Sequence, residues 1–131
     1  MIGIDTNVLV RLLIEDDEEQ TRRARRLVDQ AEARGDAVLV SSPVVLEAEW
    51  VLRSRYGLGR DEVLTLFHAA LSVPTLWFEG EAALEEALHE WADSACGLAD
   101  CLIAAHNRRM GCRFTATFDT KAAKLTAMRL V

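Results

Sequence analysis

Cysteine is scarce in this chain of 131 residues: Cys96, Cys101 and Cys112, an odd set with no Cys-x-x-Cys pair. That argues against a disulfide framework and for a reducing compartment. Glycine and proline number only 7 and 2, and no stretch is repetitive or low in complexity, so disorder is not expected outside the extreme ends. No apolar run reaches the ~20 residues of a membrane helix. The apolar start is broken by Asp5 and Arg11 and has no basic leader, so no secretory signal is expected and the chain is expected in the cytoplasm. Aromatic residues make up only 6%; Trp50, Trp77 and Trp91 read as core or interface, and no base-stacking platform is assigned.

Several catalytic plans are missing as well. The sequence has no Gly-x-x-x-x-Gly-Lys-Ser/Thr loop, no Gly-x-Gly-x-x-Gly turn and no Gly-x-Ser-x-Gly elbow. His68, His89 and His106 show no zinc-ligand spacing with one another or with the cysteines, and read as surface or half-buried helix residues. Cys112 could serve as a nucleophile in principle, but it reads as an inert core thiol. The net charge of −6 weighs against a general nucleic-acid binder. Arginines nevertheless group locally, as Arg22, Arg23, Arg25 and Arg26, then Arg53, Arg55 and Arg60, then Arg108, Arg109 and Arg113.

What is present is an apolar half of the composition, enough to bury a core, in a length that suits one domain over residues 1–131. Residues 1–4 read as a buried strand ending at Asp5, with Asp5 or Thr6 capping a helix over 7–14. A charged helix follows over 18–34, closed by Gly35, then a strand over 37–41. Ser41 or Ser42 begins a helix with Pro43 in its first turn, running to about residue 56, and another helix covers 60–72. A strand over 75–78 and helices over 80–93 and 98–110 come next, the last ended by Gly111. A strand over 113–117, a short helix capped by Asp119 and an edge strand over 125–131 complete the chain. Strands alternating with helices predict an α/β fold, with a central, mainly parallel sheet flanked by helices.

In such sheets, sites form beyond the carboxyl ends of strands. Asp5 and Asp119 both fall there, although either would serve as an ordinary helix cap. Glu47 shares helical spacing with Val44, Ala48 and Val51, where an unpaired carboxylate is costly to bury. Glu49 competes with it, sharing a face with Val45, Leu52 and Tyr56, and periodicity does not choose between them. Asp100 opens an otherwise apolar helix, where the helix dipole favours an acid. Acids held together repel and raise one another's pKa unless a cation neutralises them. An all-oxygen set suits Mg²⁺ or Mn²⁺.

Four blocks, Ile4-Asp5-Thr6-Asn7-Val8-Leu9, Val45-Leu46-Glu47-Ala48-Glu49-Trp50-Val51-Leu52, Leu98-Ala99-Asp100-Cys101-Leu102-Ile103-Ala104 and Thr117-Phe118-Asp119, together resemble a PIN-domain protein of the VapC-toxin type over essentially the whole chain. The resemblance implies catalytic, metal-holding acids at Asp5, Glu47, Asp100 and Asp119. Its Glu-x-x-Trp-Val-Leu spacing favours Glu47 over Glu49. It also places Thr6, Asn7 and Thr117 around those acids. Many relatives carry a further Asp where this chain has Gly97, which points to a simpler metal site. The resemblance implies a single PIN-like domain, Mg²⁺- or Mn²⁺-dependent cleavage of RNA by a metal-activated water, a homodimer and a cognate antitoxin. Arg53, a turn or two beyond Glu47, is the candidate substrate contact. The alternatives are a DNA nuclease of the same fold, which would want more basic segments, and a degenerate binding module, which four retained acids disfavour. A phosphoacceptor receiver does not fit, because the middle acid lies inside a helix.

Overall fold

The computed structural model describes all 131 residues. They form two compact units, residues 1–79 and 80–131.

The first unit begins with β1 (Ile2–Gly3), α1 (Thr6–Leu13) and α2 (Glu18–Ala33). It continues with β2 (Val38–Val40), α3 (Ser42–Ser54), α4 (Arg60–Leu71) and β3 (Leu76–Phe78). Its strands make a parallel sheet in the order β1-β2-β3, with Ile2 opposite Val38 and Val38 opposite Leu76. Parallel neighbours need crossover connections, and the intervening helices supply them. Val38 and Val40 are fully buried, and in β3 Leu76 and Phe78 are buried while Trp77 points to solvent, the period-two alternation of a strand. The helices close the core with Leu9, Val45, Leu52 and Phe67. Gly35 ends α2 as the sequence predicts: its φ is +67°, its N–H donates to Glu32, and the Asp36 N–H reaches back to Ala31 at 2.9 Å. This is the left-handed closure that glycine adopts at least cost.

The second unit contains α5 (Glu81–Ala92), α6 (Leu98–Arg109), β4 (Thr115–Thr117), a 3-10 turn (Ala122–Lys124) and β5 (Met128–Leu130). α5 packs along α6, with Leu84, Leu88 and Trp91 buried on one and Cys101, Leu102 and Ala105 on the other. The Glu86 carboxylate accepts from Arg108 at 2.9 Å and Arg109 at 2.6 Å, joining α5 to the end of α6. Gly111, at φ +95°, closes α6 with the same paired bonds seen at Gly35. β4 and β5 pair in parallel, Thr115 opposite Met128 and Thr117 opposite Leu130.

The α/β class and the parallel pairing agree with expectation. Two details differ. The strands form a sheet of three and a sheet of two, not one continuous sheet. Cys112 is exposed, because the left-handed turn at Gly111 carries the chain out of the helix and away from the core. Cys96 and Cys101 are the buried thiols, and burial pushes Cys101 up to about 11, which keeps it protonated and unreactive. No helix is long and apolar enough to cross a membrane.

Candidate functional site

Asp5 stands two residues beyond β1 and is the N-cap of α1: its Oδ1 accepts from the Val8 N–H at 3.0 Å. The side chain is exposed, so this bond occupies one lone pair and leaves the rest of the carboxylate open. Thr6, the first helical residue, is buried, whereas Asn7 is exposed beside Asp5. Asp5, Asn7, Val8 and Arg11 line one side of a cavity of about 390 Å³ whose other side comes from α2.

Glu47 and Glu49 lie in the middle of α3 with opposite environments. The buried stripe of this helix is Val45, Ala48, Glu49 and Leu52, at i, i+3, i+4 and i+7. Glu49 therefore occupies the inward position and has its charge balanced locally, its Oε1 accepting from the Arg53 Nε at 2.9 Å. Glu47 is exposed, contrary to the expectation of an acid on an apolar face. That leaves Glu47 as the acid facing solvent, while Glu49 gives Arg53 a partner within its own helix.

In the second unit, Asp119 stands two residues beyond β4, the same offset that Asp5 has from β1. It does not cap a regular helix. Its Oδ1 accepts from the N–H of Lys121 at 2.8 Å and of Ala122 at 3.4 Å, a local turn that leads into the 3-10 turn. The Asp119 N–H in turn donates to the Thr117 hydroxyl at 3.0 Å. Thr117 thus holds the backbone on which Asp119 is mounted. Asp100 sits half-buried in the first turn of α6, three residues after Gly97, which caps that helix without a side chain. A Cβ at Gly97 would meet nothing within 4 Å, so the backbone leaves open space where related sequences carry an Asp.

Asp5 and Glu47 belong to the first unit and Asp100 and Asp119 to the second, and within each unit the structure gathers no cage of three or more His, Cys, Asp or Glu side chains. What fits a hard divalent cation is the donor chemistry. All four are carboxylates, three exposed and one half-buried, and none is consumed in an ion pair.

Sequence reasoning missed one cluster. The Arg11 Nη1 donates to the Tyr56 hydroxyl at 2.9 Å and to Asp16 at 3.1 Å, and the Tyr56 hydroxyl donates to Asp16 at 2.8 Å. The Arg11 Nε donates to Gln20 at 2.7 Å. The Tyr56 contact, with Asp16 behind it, raises the guanidinium pKa further. The only sequence signal was an arginine interrupting the apolar start of α1. The network ties α1, α2 and the end of α3 together beside the Asp5 cavity.

If Thr117 positions Asp119, replacing it has a graded effect. On the expectation of metal-dependent RNA cleavage, Thr117→Ala should lower the rate by about tenfold, as loss of supporting contacts around metal ligands typically does. Thr117→Ser, which keeps the hydroxyl, should stay near wild type. Equal rates for Ala and Ser would remove Thr117 from the site.

Comparison with known proteins gives one family match: the PIN domain family model aligns with residues 2–127. Among solved structures, the Mycobacterium tuberculosis VapC20 toxin, described as a sarcin-ricin loop cleaving toxin, is similar at 19% identity, covering 98% of this chain and 99% of that one, with a TM-score of 0.43. A search of the curated proteins finds no match.

Proposed function

This chain belongs to the PIN-domain family, a family of nucleases, and from that premise we propose that it is a Mg²⁺- or Mn²⁺-dependent endoribonuclease, the toxin of a toxin–antitoxin pair. The observation that carries the reading is the matched placement of Asp5 and Asp119, each two residues past the carboxyl end of a parallel strand, where α/β folds place their chemistry.

Asp5, Glu47, Asp100 and Asp119 are the residues that would hold the cation. When bound, it supplies an activated water and neutralises charge on the phosphorane oxygens. The remaining work belongs to the chain. The Val8 N–H fixes the Asp5 carboxylate by donating to its Oδ1, the Thr117 hydroxyl fixes the backbone of Asp119, and Thr6 and Asn7 follow Asp5 in the first turn of α1. We propose further that the protein acts as a homodimer under a cognate antitoxin, for which Trp50, Trp77 and Ile103 offer exposed apolar surface.

Purified protein is expected to cut single-stranded RNA with Mn²⁺ or Mg²⁺ and to stop when EDTA removes the metal, activity returning on re-addition. Cleavage undiminished in EDTA would overturn the metal assignment. Cleavage of DNA in preference to RNA would overturn the substrate.

A further inference from the structure

The distribution of charge around Asp5 is uneven, and the unevenness has a chemical consequence. A site of carboxylates repels a polyanion, so a strand of RNA needs a cation within the same recess. The cavity of about 390 Å³ at Asp5 is large enough for one small-molecule-sized group, since ligand pockets begin near ~300 Å³. α2 contributes Gln20, Arg23, Ala24 and Leu27 to it, a stripe at i, i+3, i+4 and i+7. Leu27 and Ala24, with Val8, make an apolar wall, and the polar rim is Asn7, Gln20 and the two arginines.

The two arginines differ. Arg11 is half-buried and already balanced by Asp16, Tyr56 and Gln20. Arg23 is exposed and takes part in none of the ion pairs of the structure. Its neighbours in the same basic run face elsewhere: Arg22, Arg25 and Arg26 line a separate groove together with Glu15, Glu18 and Asp29, and Arg25 pairs with Glu15. Of the four arginines in that run, only Arg23 opens onto the recess that contains Asp5.

We propose that this recess is the subsite for the nucleotide next to the scissile bond, with Arg23 binding its phosphate. The proposal rests on the ribonuclease reading. A guanidinium presents a planar fork of donors that matches two phosphate oxygens, and here it does so on the same wall as an amide, Gln20, and beside an apolar surface for the sugar or base. Arg11, held by its network, holds Gln20 by a hydrogen bond, whereas Arg23 is held by no ion pair.

The test compares Arg23→Ala with Arg22→Ala, which makes the same change of charge on the neighbouring face. Binding of a fluorescein-labelled single-stranded RNA to the metal-free protein, followed by anisotropy across a salt series, reports contact without activity. Arg23→Ala is expected to weaken binding about tenfold and to reduce the slope of log affinity against log salt by about 0.7, the loss of one phosphate contact to a single strand. In cleavage with Mn²⁺ the same variant should raise KM by a similar factor while kcat changes little. Arg22→Ala should stay within about twofold on both readouts. Equal effects of the two substitutions would overturn the subsite and leave only general attraction, as would an Arg23→Ala protein that binds like wild type. Folded wild-type protein that neither binds nor cuts RNA would overturn the ribonuclease reading itself, which separates the two failures.

Discussion

Asp5→Asn is expected to stop RNA cleavage and leave the fold standing, whereas Asp5→Ala should stop cleavage and also cost stability. The contrast follows from the two tasks that one carboxylate performs. As N-cap it accepts the Val8 N–H at 3.0 Å. Asparagine caps about as well as aspartate, so Asp5→Asn should change stability by no more than a few tenths of a kcal/mol, while alanine leaves the N–H without its partner at a cost of about 1 kcal/mol. As a cation ligand, the carboxylate supplies a charge that an amide lacks. Losses from supporting residues around metal ligands reach about 100-fold, so a direct ligand should exceed that. The measurement is a pair: cleavage rate with saturating Mn²⁺, and thermal unfolding in EDTA. An Asp5→Asn protein that cuts RNA at the wild-type rate would reduce Asp5 to a cap.

The placement of Asp5 and Asp119 just after strands was legible in the sequence because it depends on local rules, although the equal offset was not. Ile2 to Ile4 form an apolar run that stops at an acid, and residues 113–117 read as a strand that ends shortly before Asp119. Gly35 and Gly111 were legible as helix ends for the same reason, since the left-handed closure suits glycine and each lies directly after a periodic segment. Glu47 and Glu49 were not separable locally. Both fall within reach of apolar residues at helical spacing, and only the packed stripe of Val45, Ala48, Glu49 and Leu52 shows which one turns inward. Arg11 was also opaque. Its partners Asp16, Gln20 and Tyr56 are 5, 9 and 45 positions away, and a bond over 45 positions depends on how α1 and the end of α3 meet. Cys112 was misjudged because its neighbours in sequence are not its neighbours in space.

The inward turn of Glu49 makes a strong statement about Arg53. The Glu49 side chain is only 9% exposed and the Arg53 side chain 56%, with 2.9 Å between Oε1 and Nε. An ion pair between two exposed side chains contributes little, but removing one partner of a buried charge leaves the other unpaired in a poor dielectric. Because the arginine end is half open to water, the cost sits below that of a fully buried pair. Arg53→Ala is expected to destabilise the protein by about 1–3 kcal/mol, lowering Tm by roughly 5–10 °C for a chain of this size. Adding Glu49→Gln should recover most of the loss, since an amide tolerates the buried position without a counter-charge. This separates two roles for Arg53. A substrate contact would raise KM for RNA with an unchanged Tm, and Glu49→Gln would not rescue it. A partner for Glu49 loses Tm first, and the double variant regains both stability and cleavage. The geometry favours the second outcome, because the guanidinium is already engaged within its own helix, while Arg23 opens onto the Asp5 recess with no acid to hold it.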